Sequence, residues 1–162
     1  MRKILFILTI IGVFISGCGN NKTADELFSG AENARNEKDI KRALSNLDLL
    51  LIKYPDHDLA AKTQYLIGDI YMNDLRDFDS AIAAYVNVVN NFSGTNQEAQ
   101  AQFMIGYIYA NILSDDLKKA ELNYKIFLDR FPDHELAPSV QFELNYLGKD
   151  INEIDVLKHI TS

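Results

Sequence analysis

Through most of the chain apolar residues recur at i, i+3, i+4 and i+7, the spacing that lines one face of an α-helix. Tyr65–Phe92 shows the pattern twice. Leu66, Ile67, Ile70 and Tyr71 mark one stripe, with Gly68 among them; Ala81, Ile82, Tyr85, Val88, Val89 and Phe92 mark a second. Neither stripe can be buried by its own helix, so the pair predicts an antiparallel hairpin that must pack on further elements. The same reading predicts helices over 24–36 with 39–53, 59–74 with 78–92 and 96–113 with 116–130. A seventh follows over Pro138–Gly148, with Phe142, Leu144, Tyr146 and Leu147 on its apolar side. Asp25, Asp58, Asp77 or Asp79, Asn96 and Asp115 are candidate N-caps, having side-chain oxygens that can accept from first-turn N–H groups. Pro55 and Pro132 stop the helices before them, and Gly94 serves the junction between.

The hairpins are copies. YLIGDIY at 65–71 returns as FMIGYIY at 103–109, a shift of 38 residues. Gly30, Gly68 and Gly106 keep that spacing, and Ala43, Ala81 and Ala120 are spaced by 38 and 39. The junction YPDHDLA at 54–60 returns as FPDHELA at 131–137. A fixed period of this size marks a stacked repeat protein. The units are 24–55, 56–93, 94–132 and a partial 133–149. An interior helical glycine costs about 1 kcal/mol against alanine, so three at equivalent positions predict close helix approach, with Ala43, Ala81 and Ala120 as the facing residues. Tyr85, Tyr124 and, in the first unit, Leu47 fill the next layer; Tyr71 and Tyr109 are expected to be structural. Beyond, Ile151, Ile154, Leu157 and Ile160 give 150–162 the pattern of an amphipathic cap over the last stripe, the alternative being a docking helix for a partner.

Composition narrows the function. The chain has 162 residues, 48% of them apolar, a formal charge of −7 and no basic cluster, which argues against nucleic-acid binding. Its single cysteine, Cys18, excludes an internal disulfide and a multi-cysteine metal site. His57 and His134 lie in Asp-His-Asp and Asp-His-Glu triplets, but at equivalent junctions two repeats apart, so they are expected to be solvated loop residues and not ligands of one ion; His159 is isolated. No nucleophile–base pattern or phosphate loop occurs. The expectation is a non-enzyme with no cofactor, no metal and no small-molecule substrate.

The N-terminus carries Arg2 and Lys3, then the apolar run Ile4–Ile15. Twelve residues reach only about 18 Å as a helix, short of a bilayer's hydrocarbon core, so 1–17 reads as a signal peptide. Its end, Ile15-Ser16-Gly17-Cys18, resembles the bacterial lipobox: an aliphatic residue, two small ones, then the cysteine that takes the lipid. Cys18 is thus the expected lipidation site (palmitate among its acyl chains) and 18–23 a short tether. Removing Arg2 and Lys3 takes the formal charge from −7 to −9. In lipoproteins of enteric bacteria an Asp after the lipidated cysteine is the signal for inner-membrane retention; Gly19 stands there instead, which implies the outer membrane facing the periplasm.

Gly-x-x-Tyr at 68–71 and 106–109, the later alanines, the aromatics Tyr85 and Tyr124 and the prolines 55 and 132 resemble the tetratricopeptide repeat. The longer unit with its YPDH-x-LA junction is similar to the variant in bacterial envelope lipoproteins of the BamD (YfiO) and YbgF type. The resemblance implies an all-α, right-handed α-solenoid of about three hairpins plus a C-terminal capping helix. It also implies that the first helix of each pair lines a concave face. The family register places Lys62, Tyr65, Asp69, Met72 and Asn73, then Phe103, Tyr107 and Asn111, then Gln141 and Asn145 there. Aromatics flanked by amides can hold an extended peptide by stacking and hydrogen bonding; the other reading packs them between neighbouring first helices. The function implied is a membrane-anchored protein-binding scaffold of the cell envelope, in outer-membrane protein assembly, with envelope proteins or peptides as partners. The alternative is a self-associating module or a coordinator of cell-wall synthesis and division.

Overall fold

The structure, a computed structural model, describes residues 22–149. The signal peptide, Cys18 and the segment 150–162 lie outside the described residues. Within them the chain runs α1 (Ala24–Asn36), α2 (Ile40–Lys53), α3 (Ala60–Asp69) continuing as a π-helical turn (Ile70–Leu75), and α4 (Phe78–Asn91). It goes on as α5 (Asn96–Asn111), one 3-10 turn (Ser114–Asp116), α6 (Leu117–Arg130) and α7 (Ala137–Tyr146). No strand occurs among the described residues. Helices α1 and α2, α3 and α4, α5 and α6 form hairpins, and α2 packs on α3, α4 on α5 and α6 on α7. Each unit therefore buries its stripe on its neighbours in sequence, which makes the fold an α-solenoid of helical hairpins.

The core follows the same logic. Leu27, Phe28, Leu47 and Leu50 of the first hairpin close over Ile67 and Ile70 of the second. Tyr85 and Val88 of α4 close over Ile105 and Ile108 of α5. Tyr124 and Phe127 of α6 close over Val140 of α7. Ala43, Ala81 and Ala120 are fully buried, and Tyr71 and Tyr109 are half-buried beside these clusters.

The glycines do permit close approach, but the alanines are not what they face. A Cβ on Gly68 would sit 2.6 Å from the Tyr85 ring, and one on Gly106 2.6 Å from the Tyr124 ring. The facing residue is the aromatic one turn beyond each alanine. A flat ring can lie on bare backbone, whereas an alanine opposite would leave a void. In the first unit Leu47 replaces the tyrosine, and Gly30 faces the Asn46 amide at a looser 3.2 Å.

Helix starts also differ in detail. Thr23, not Asp25, caps α1 in a reciprocal capping box with Glu26, and Thr95, not Asn96, caps α5 through the Glu98 N–H. Asp39, Asp77 and Asp116 cap the second helices, so the third of these is Asp116 and not Asp115. Asp58 is not the cap of α3. There the His57 ring Nδ1 accepts the Leu59 N–H at 3.1 Å, and His134 does the same for Leu136 ahead of α7 at 3.1 Å. Pro55 and Pro132 each follow the C-cap of the preceding helix, Tyr54 and Phe131, where a residue without an N–H cannot continue the ladder.

Candidate protein-binding site

Ten candidate residues sit on first helices: Lys62, Tyr65 and Asp69 on α3, Met72 and Asn73 on its π-helical turn, Phe103, Tyr107 and Asn111 on α5, Gln141 and Asn145 on α7. Neighbouring first helices meet, since α3 touches α5. Lys62, Asn73, Asn111, Gln141 and Asn145 are exposed, while Tyr65, Met72, Phe103 and Tyr107 are half-buried. The half-buried rings lean on the second helix of their own hairpin: Tyr65 lies 5.3 Å from the Tyr85 ring, and Phe103 stacks 6.2 Å from Tyr124. Phe103 also meets Tyr107 at 6.1 Å. Each ring thus has one side fixed by packing and part of the other facing solvent. The amides are occupied locally: Asn111 donates to the Tyr107 carbonyl at 3.3 Å, and Gln141 to Asn145 Oδ1 at 2.9 Å. The Lys62 ammonium sits 4.6 Å over the Phe28 ring.

Asp69 is tied inward. The Tyr85 hydroxyl donates to its Oδ1 at 2.6 Å, and the Met72 sulfur lies 3.9 Å from the same hydroxyl. Burial raises the Asp69 carboxyl pKa from its ordinary value, against the lowering effects of the Tyr85 hydrogen bond and of Arg35, while Asp74 raises it. Burial, then the bond to Asp69, raises the Tyr85 phenol; burial, then the Asp69 charge, raises Tyr65. Arg35 of α1 pairs with Asp74 on the π-helical turn at 2.6 Å, bracing the first unit on the second. Asp69 Oδ1 therefore positions the Tyr85 hydroxyl.

One repeat on, the Asp69 position is Tyr107, and the fully buried Tyr124 hydroxyl has no hydrogen-bond partner. Two equivalent tyrosines should then respond oppositely. Tyr85→Phe is expected to cost about 1.5–3 kcal/mol, because a bond to a charged group is lost and Asp69 keeps its burial without a donor. Tyr124→Phe is expected to stay within about 0.5 kcal/mol of the parent or to gain slightly, since no bond is lost. Urea unfolding midpoints read the difference; equal losses would mean that the Tyr124 hydroxyl has a partner.

Sequence reading missed three supports of this face. Gln64 of α3 donates to the Ala84 carbonyl of α4 at 3.3 Å, and Gln102 of α5 donates to the Asn123 carbonyl of α6 at 3.2 Å and to its Oδ1 at 2.9 Å. These glutamines are repeat equivalents, 38 residues apart, and that spacing was the available signal. The third is Glu98, 1% exposed at the start of α5. Its carboxylate accepts the Gly94 N–H at 2.7 Å and pairs with Arg130 at the end of α6. Nothing in the local sequence joins residues 32 apart. Among the described residues no group of three or more His, Cys, Asp or Glu could hold a metal ion.

The stacked hairpins and their ring-lined first-helix side define a class, the helical repeat scaffold. A family model described as a tetratricopeptide repeat matches residues 62–95, the second hairpin. The match supports a tetratricopeptide repeat in this chain, and with it a protein–protein interaction module. A search of curated proteins finds no match.

Proposed function

We propose that the protein is a membrane-anchored scaffold of the bacterial cell envelope, held through acyl chains on Cys18, that binds an extended segment of another envelope protein along its first helices. The observation that carries the reading is the row of half-buried rings, Tyr65, Phe103 and Tyr107, with exposed amides at Asn73 and Asn111 beside them. Rings fixed on one side lose little conformational freedom on binding, and amides can exchange local bonds for those of a peptide backbone. The lipobox-like Ile15-Ser16-Gly17-Cys18 supports the anchor, and two or more acyl chains hold stably where one is marginal. Outer-membrane placement and a role in outer-membrane protein assembly follow from Gly19 and from the envelope-lipoprotein resemblance of the repeat unit.

Photo-crosslinkers placed in cells at Tyr107, Asn73 and Asn111 are expected to give discrete protein adducts, and one at Leu122, exposed on α6, is not. No adduct from any first-helix position would overturn the binding reading. Independently, Cys18→Ser is expected to abolish incorporation of a clickable fatty acid and to release the protein from membranes. Retained labelling would overturn the anchor.

A further inference from the structure

Helix α7 carries the apolar row of a first helix, but among the described residues no second helix of its own packs on it. Counted from the junctions at Tyr54, Phe92 and Phe131, Phe142 stands where Tyr65 and Phe103 stand, Leu144 where Ile67 and Ile105 stand, and Leu147 where Ile70 and Ile108 stand. The equivalents show what is missing. Tyr65 leans on the Tyr85 ring of α4 and Phe103 on the Tyr124 ring of α6. The ring beside Phe142 is Tyr146 of its own helix, at 4.6 Å, and Phe142 is 39% exposed. Ile67, Ile70, Ile105 and Ile108 are buried, whereas Leu144 and Leu147 touch the third core cluster and stay only half-buried. An apolar row open to water costs free energy roughly in proportion to its area. Asn145 stands at the position of Gly68 and Gly106, so the row offers no bare backbone to a ring and suits an aliphatic cover. Glu143 is the one charged residue of α7.

The chain leaves α7 as it leaves earlier first helices. Lys38 and Arg76 take left-handed backbone, φ 65° and 55°, and Asp39 and Asp77 directly after them cap the second helices. Gly148 takes φ 75°, and Asp150 follows two residues on. The Lys38 N–H donates to the Arg35 carbonyl at 2.9 Å, and the Lys149 N–H to the Tyr146 carbonyl at 3.0 Å. The turn is seated against the start of α6, where a Cβ on Gly148 would lie 2.9 Å from Leu117 Cδ1. From Asp150 the sequence reads as a helix start. Asp150-x-x-Glu153 has the capping-box pattern, and Ile151 follows the cap as Ile40, Phe78 and Leu117 follow theirs. Ile151, Ile154, Leu157 and Ile160 then give an aliphatic stripe without a ring. The likeness to a second helix stops at Lys158, which stands where Leu47, Tyr85 and Tyr124 stand after their caps. The segment is suited to cover α7, not to pass the stack on to another hairpin.

We propose that 150–162 folds back from the Gly148 turn and docks antiparallel on α7, bringing Ile151 to Leu147, Ile154 to Leu144 and Leu157 to Phe142. The two rows match in length, since five or six residues of helix span about 8–9 Å. Lys158, next to Leu157, then comes within reach of the Glu143 carboxylate. The contact withdraws Phe142 from the side open to a partner, so the rings that face one are Tyr65, Phe103 and Tyr107. It depends neither on the acyl anchor nor on the identity of the partner.

A photo-crosslinker placed at Phe142 of the full-length protein tests the contact directly. Irradiation of the purified protein is expected to give adducts within 150–162 of the same chain, at a yield that does not change with protein concentration. Adducts between two chains would assign the row to a second copy, and adducts in cells to another protein would assign it to a partner. Either result, or adducts that never fall in 150–162, overturns the proposal. Leu157→Asp, outside the described hairpins, gives a second measure. It is expected to speed amide exchange in α7 by about tenfold while α1 to α4 keep their rates. Unchanged exchange in α7 would overturn the proposal as well.

Discussion

Gly68→Ala is expected to destabilise the protein by about 2 kcal/mol, and Gly106→Ala by as much, against a helix propensity that favours alanine by about 1 kcal/mol. The added methyl would lie 2.6 Å from Cε1 of Tyr85 and within 2.9 Å of two further ring atoms. That ring cannot move aside easily. It is fully buried, its hydroxyl is held by Asp69 at 2.6 Å, and Tyr65 packs on it. Forcing a methyl into a packed site costs about 1–3 kcal/mol and more where the neighbour is rigid, so the clash outweighs the propensity gain. Gly30→Ala supplies the contrast. Its Cβ would meet only the half-buried Asn46 amide at 3.2 Å, the end of a flexible side chain, and the expected change is between neutral and about 1 kcal/mol more stable. Urea unfolding of the three variants gives the midpoints. A neutral Gly68→Ala would show that the hairpin does not depend on the ring lying against bare backbone.

This contrast shows what the sequence disclosed and what it withheld. Helix positions were legible to within a residue or two, because the apolar period is local and was repeated at 38-residue steps. The glycines were legible as points of close approach for the same reason. Their partners were not. Whether Ala81 or Tyr85 meets Gly68 depends on the crossing angle and on a ring rotamer, neither of which a one-dimensional pattern carries. The caps divide similarly. Thr23-x-x-Glu26 and Thr95-x-x-Glu98 both carry the capping-box pattern, a better signal than the neighbouring Asp25 and Asn96, although only the first closes reciprocally while Glu98 turns to the Gly94 N–H. His57 and His134 as helix-entry acceptors had no such signature. Of the candidate face, Tyr65 and Phe103 were legible as first-helix aromatics because they keep repeat register, and Tyr107 because it lies one turn beyond Phe103 on the same face. Asp69 looked like part of that surface, yet its carboxylate is turned to Tyr85, a contact between helices 16 residues apart.

Arg130→Met is expected to cost about 3 kcal/mol, the other large effect in the fold. Glu98 is a carboxylate that is 1% exposed, and it accepts from the Gly94 N–H and the Arg130 guanidinium. Removing the arginine leaves a buried charge with one backbone donor, and such truncations typically cost about 3–5 kcal/mol. The lower end applies because Arg130 itself is 37% exposed and the Gly94 bond remains. Glu98→Gln should cost less, about 1–2 kcal/mol, since the amide oxygen can still accept from Gly94 and the arginine can turn to water. The double variant should then be more stable than the sum of the single losses implies, because it leaves no unpaired buried charge, and a double-mutant cycle reads that coupling directly. The pair also joins the start of α5 to the end of α6, the two ends that bound the third hairpin. Its loss should therefore speed amide exchange at the Phe92–Glu98 junction before it affects α3 or α4. A loss under about 1 kcal/mol for Arg130→Met, with strictly additive single variants, would mean that Glu98 is held by its backbone cap alone.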